Sequence, residues 1–206
     1  MKQIYMFIWT MIVVIIITCA CSNNDWNNEE IEIINTKGEL LRVLTIEDAQ
    51  DSLFLRRSCQ EIPPKALSGE IYATLASKMI ATVTSPEQDG VGIAGPQVGI
   101  SRRIVAVQRF DKEGNPFEVY PNIRIVEHNG NPEPGPEGCL SVPGRQSEVL
   151  RYPEIEIRYS LPSEKNLPLR DTTERIIGFT AVIFQHECDH LDGILYIDYP
   201  CTSSLH

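Results

Sequence analysis

Two of the four histidines in this chain stand four residues apart, in His186-Glu187-Cys188-Asp189-His190. The surrounding segment, residues 178–191, is mostly apolar, with Phe179, Val182, Ile183 and Phe184, and Gly193 follows as a closing cap. A helix is expected there. Residues i and i+4 on a helix differ by about 40° of rotation, so both imidazoles point the same way. An apolar helix carries charge into an interior only for a reason, because unpaired buried charge is expensive. One metal shared by His186 and His190 supplies that reason, with Glu187 beside it to handle the proton of a bound water. The plainer reading is two incidental histidines, since HExxH occurs by chance in many proteins.

A catalytic metal needs a third protein ligand and an open position. One class of zinc peptidases reads HExxHxxGxxH, but here the run is HECDHLDGILY, with Tyr196 where the third histidine would stand. Residues 191–206 leave little room for a downstream helix carrying a ligand, and Asp192 and Asp198 are weak candidates. The better candidate lies upstream, in Glu137-Gly138-Cys139-Leu140-Ser141, where a cysteine follows a Pro/Gly stretch. A thiolate with two imidazoles suits zinc or Fe(II). An inert buried thiol is the commoner fate of a cysteine, and Cys59, Cys188 and Cys201 receive that reading. Cys188 is rotated about 200° from His186, away from the metal. In an exported protein Cys59 and Cys201 could also pair.

The rest of the chain reads as short strands with one early helix. Ile71, Leu75 and Met79 recur every four residues, with Ser68 as N-cap and Pro86 beyond the end. Residues 90–99 are too glycine-rich for regular structure. Strands are expected at 103–108, 117–120, 123–127 and 154–159, a hairpin turn at 111–115, and a Pro/Gly loop at 129–138. The fold class is therefore α+β, with antiparallel sheets packed around a central helix that carries the histidine motif.

With 42% hydrophobic residues in 206, the chain can bury a core as one domain. A net charge of −10 argues against nucleic acid as a partner. Six cysteines are too few for a disulfide scaffold. The N-terminus differs from the remainder: residues 4–17 are apolar except for Thr10. As a helix they span about 21 Å, short of the roughly 30 Å bilayer core, which fits a signal peptide. Thr18-Cys19-Ala20-Cys21 then resembles a bacterial lipoprotein cleavage box, making Cys21 the lipidated residue. The expected organisation is a signal peptide over 1–20, a tether over 21–39 and a catalytic domain over 40–206. The address is the cell envelope, with membrane contact only through the lipid anchor, or the cytoplasm if translation starts after Met1.

Three segments together resemble peptide deformylase. The family's GxGxAAxQ appears as Gly90–Gln97 (GVGIAGPQ), its EGCLS as Glu137–Ser141, and its QHExDHLDG as Gln185–Gly193 (QHECDHLDG). The resemblance runs from about Leu55 to Asp198. It implies that Cys139, His186 and His190 hold Fe2+, with Zn2+ or another divalent metal substituting. It implies that Glu187 takes a proton from the metal-bound water and passes it to the leaving amine. Gln97 and the backbone N–H of Leu140 would stabilise the oxyanion. Val91, Gly92 and Gly138 would carry the peptide as an added strand, and Ile183 would line the methionine pocket. Asp189 and Glu137 would orient neighbouring groups.

The implied partners are N-formylmethionyl peptides or nascent chains, and a monomer is expected. Two departures stand out. Gln146 occupies a position where many members have Arg, and the C-terminal helix of many bacterial members is not expected here. An export signal also sits oddly with formylmethionine chemistry, which belongs to the ribosome. The alternatives are a diverged N-acyl amidase, a membrane-tethered metallopeptidase, or a non-catalytic lipoprotein that binds formyl peptides.

Overall fold

In the computed structural model, residues 25–161 and 170–200 are described. The expected signal peptide, Cys21 and Cys201 lie outside them. Four helices occur among the described residues: α1 (Asn28–Ile34), α2 (Ala49–Leu55), α3 (Glu70–Val83) and α4 (Gly178–Leu191). The strands are β1 (Gly92–Ala94), β2 (Ile104–Gln108), β3 (Phe117–Pro121), β4 (Arg124–Asn129), β5 (Glu133–Cys139), β6 (Val142–Arg151), β7 (Glu154–Leu161) and β8 (Arg170–Ile177). They pair antiparallel throughout, as β1-β2-β3, β4-β7-β8 and the hairpin β5-β6. This is the α+β class expected from the pattern of elements.

β2 (IVAVQ) is apolar on both faces because it lies between two cores. Ile104 and Ala106 pack with Leu75, Met79 and Val83 of α3, whereas Val105 and Val107 pack with Ile155, Ile157 and the α4 residues Phe184 and Leu191. The period-2 alternation of a strand assigns successive side chains to opposite cores. Each such Val or Ile contributes about 1.5–3 kcal/mol over an exposed position. Ala181, Phe184, Cys188 and Leu191 give α4 a buried stripe. That stripe fixes the helix's rotation and leaves its other side to the site. α4 spans the residues expected, its cap is Asp192, and Gly193 follows with φ 75°.

Several expectations are corrected. α3 is capped by Gly69, not Ser68, whose hydroxyl instead donates to the Lys65 carbonyl in a short 3-10 turn. The Pro/Gly loop at 129–138 is largely strand β5. Its prolines are tolerated because the hairpin is two-stranded, and a free edge needs no N–H donor. The glycine-rich stretch contains β1, whose three residues are all buried. The segment read as a tether includes α1, with Trp26 and Ile34 in the core. Its polar composition hides a capping box, in which Asn27 and Glu30 each accept the other's backbone N–H.

Candidate metal centre and active site

Three pieces of chain converge on one cleft of about 700 Å³. α4 supplies His186 and Glu187 to its wall, with buried His190 one turn further along the helix. β5 ends at Cys139, where the β5–β6 register shifts between Gly138 and Cys139. A shift of this kind re-aims the side chain beside it. The turn at Leu140 and Ser141 is held by Ile46, whose N–H donates to the Ser141 carbonyl at 2.9 Å. Gln97 stands in a short 3-10 turn, Gly95–Val98, directly after β1.

Cys139 Sγ lies 3.2 Å from His190 Nε2. One donor atom each from Cys139, His186 and His190 fall within 4.8 Å of one another. The two imidazole rings are 5.0 Å apart and nearly perpendicular. His186 Nδ1 pairs with Glu137 Oε2 at 2.9 Å, which leaves Nε2 for the cluster. Beside it, buried Glu187 Oε2 has no hydrogen-bond partner among the described residues. A soft thiol, two imidazoles and an unpaired carboxylate oxygen fit a divalent metal with one open position.

The environment sets the charges. Burial pushes Glu187 up to about 7. Burial also acts to raise Glu137, but hydrogen bonds from His186 and Arg151 outweigh it and bring the carboxyl down to about 2. His190 is pushed well below its ordinary value by burial and by His186. Glu137 is thus a fixed anion that orients His186, a common arrangement around metal-binding histidines.

Arg151 anchors Glu137. Its Nε donates to Glu137 Oε1 at 2.6 Å and its Nη2 to Oε2 at 3.0 Å, while Nη1 donates to Asp189 Oδ2 at 2.7 Å. The Tyr199 hydroxyl donates to the same Asp189 oxygen at 2.9 Å. Arg151 and Tyr199 escaped sequence reasoning. An arginine on a polar strand carries no local signal of a partner in a distant loop.

Gln97 is pinned through both ends of its amide. Oε1 accepts the Ala94 N–H at 2.8 Å, and Nε2 donates to Ser141 Oγ at 3.2 Å. That turns Nε2 toward Cys139 Sγ, at 3.6 Å. Val91, Gly92, Gly138, Leu140 and Ile183 all line the cleft, as do Arg145 and Gln146. A Cβ at Gly92 would stand 2.4 Å from Glu187 Oε1, so glycine there makes room for the carboxylate. Phe179 and Val182 also line the cleft. Cys188 packs in the core away from the cluster, as its rotation on α4 predicts. Among the described residues Cys59 and Cys188 form no disulfide, and burial pushes the Cys59 thiol up to about 11.

An α+β scaffold that gathers these donors beside a buried glutamate is that of a metal-dependent hydrolase. A family model for polypeptide deformylase matches residues 41–204. Peptide deformylase of Desulforudis audaxviator is 42% identical over 119 residues, covering 58% of this chain and 72% of the relative. Peptide deformylase 1 of Clostridium perfringens is 38% identical over 149 residues, covering 72% and 92%. A class I type b peptide deformylase from Acinetobacter baumannii, solved with Met-Ala-Ser bound, superposes with a TM-score of 0.66 at 31% identity. It covers 77% of this chain and 97% of its own. The chain belongs to the polypeptide deformylase family.

Proposed function

We propose that this protein removes the formyl group from N-formylmethionyl peptides, releasing formate and a free amino terminus. The observation that carries this reading is the convergence of Cys139, His186 and His190 beside the unpaired oxygen of Glu187, with the Gln97 amide on the same cleft. The Met-Ala-Ser peptide held by the Acinetobacter relative is the deformylated end of such a substrate.

Cys139, His186 and His190 would hold the metal, Fe2+ by family habit, with Zn2+ able to substitute. When bound, it supplies Lewis acidity that activates water and polarises the formyl oxygen. Glu187 accepts the proton from the attacking water. The water oxygen bonds to the formyl carbon, the C–N bond breaks, and Glu187 returns the proton to the leaving amine. Gln97 Nε2 and the Leu140 N–H donate to the oxygen that gains charge. Val91, Gly92 and Gly138 offer backbone to the peptide as an added strand, and Ile183 lines the side-chain pocket. Arg145 and Gln146 at the cleft replace the usual peptide-binding arginine with a neighbour one position earlier.

The address is the cell envelope, through lipidation of Cys21, with the protein monomeric. Apolar residues 4–17 followed by Thr18-Cys19-Ala20-Cys21 support the address. Among the described residues no helix is long and apolar enough to cross a membrane.

The test is formate release from formyl-Met-Ala-Ser by anaerobically purified, metal-loaded protein. Activity abolished in Glu187→Ala with metal retained is the expected result. A folded, metal-loaded wild type that releases no formate would overturn the reading. Labelled fatty acid incorporated by wild type but not by Cys21→Ser tests the address, and an unlabelled protein confined to the cytoplasm would refute it.

A further inference from the structure

α1 precedes the segment matched by the family model, which begins at residue 41. It reaches one end of the turn that carries Gln97 through Arg102 and packs beside the cap at the other. At the first end, Glu30 is buried and receives Arg102 in a two-pronged ion pair, Nε to Oε1 at 2.6 Å and Nη2 to Oε2 at 2.9 Å. The remaining Arg102 donors reach the carbonyls of Glu61 and Asp25, and the guanidinium lies over the Trp26 ring. Arg102 is therefore held on every side, and its own carbonyl forms the floor beneath Gly95. A Cβ on Gly95 would come within 2.7 Å of that oxygen. At the other end, Ile33 Cδ1 would lie 3.2 Å from a Cβ on Gly99, the left-handed cap that closes the turn.

We propose that α1 is a positioning element for catalysis, in which Glu30, through Arg102, and Ile33 fix the turn that aims Gln97 into the cleft. Among the described residues the side chain of Gln97 is held by the Ala94 N–H, Ser141 Oγ and, at 3.6 Å, Cys139 Sγ, so its aim also depends on where the backbone of residues 95–99 sits. Backbone misplacement of about 1 Å can lower a rate a hundredfold, and α1 reaches the turn directly at Gly99 and through Arg102 at Gly95. The proposal rests on the oxyanion role given to Gln97 above.

Double-mutant cycles in the full-length, metal-loaded chain test it. Ile33→Ala and Glu30→Gln are each combined with Gln97→Ala, and formate release is measured with metal content and Tm. In the wild-type background kcat should fall on the order of fivefold to tenfold with KM and metal content unchanged, and Ile33→Leu should restore it. In the Gln97→Ala background the same substitutions should change kcat by less than about twofold. If Glu30→Gln fails to fold because Arg102 is left without its anion, half-buried Ile33→Ala carries the test. Losses that persist undiminished without the Gln97 amide would refute the positioning role. So would an unchanged kcat in a folded Ile33→Ala protein. Should Gln97→Ala alone leave kcat intact, the oxyanion assignment itself fails, a result distinct from additivity.

Discussion

Gly92→Ala isolates the placement of Glu187 from its chemistry. The added methyl carbon would lie 2.4 Å from Glu187 Oε1, 2.9 Å from its Cδ and 2.8 Å from Ile183 Cγ2. Real Cβ contacts stay beyond 3.0 Å, so Oε1 must retreat by at least 3.0 minus 2.4, or 0.6 Å. The carboxylate cannot do this freely, because it is buried and Ile183 crowds the same methyl from the α4 side. A general acid–base group contributes about 10²- to 10⁴-fold when correctly placed, and displacement approaching 1 Å forfeits about 10²-fold. The expected fall in kcat is therefore roughly 10- to 100-fold. Overpacking should cost about 1–3 kcal/mol of stability. Cys139, His186 and His190 are not among the atoms nearest that Cβ, so metal content should hold. Gly135→Ala is the control, since a Cβ there meets nothing within 4 Å; its kcat should match wild type. Steady-state formate release and metal analysis on both variants decide the matter. A Gly92→Ala enzyme with wild-type kcat would show that Glu187 has no fixed position to lose.

Other sites make separate predictions. Glu137→Gln removes the anion that orients His186, so metal affinity should fall roughly 10- to 100-fold in competition with a chromophoric chelator. Cys188→Ser buries a hydroxyl among apolar neighbours and should cost about 1–3 kcal/mol in urea unfolding while leaving kcat unchanged. Asp111 is held below its ordinary value by hydrogen bonds from buried Arg109, at 2.8 and 2.7 Å. A depressed carboxylate stabilises above its unfolded pKa, near 4, and that contribution disappears as pH falls through the folded value. Asp111→Asn should therefore lower Tm by a few degrees at pH 7, and the deficit should shrink below about pH 4 in calorimetric scans.

The chemistry was legible because its geometry is local. One helical turn aligns His186 with His190, and the register shift beside Cys139 aims the thiol, so each short segment carries its own donors, though only the fold brings the segments together. α4 was legible for a related reason: its apolar stripe and its histidines share the period of a single helix. β5 was not, because Pro134 and Pro136 read as a loop unless the strand is known to have a free edge. α1 was not, because its place depends on a pairing between Glu30 and Arg102, 72 positions apart. The Glu137–Arg151–Asp189–Tyr199 chain joins three separate elements in the same way. An arginine on a strand looks alike in sequence whether it faces solvent or clamps a distant carboxylate. What differs is the cost of burying it without a partner, and that cost exists only once the fold has chosen the neighbours. Sequence pattern therefore reaches the groups that would meet the substrate before it reaches the groups that hold them still. In this chain the second set extends beyond the matched family segment, to a helix whose composition resembles a linker.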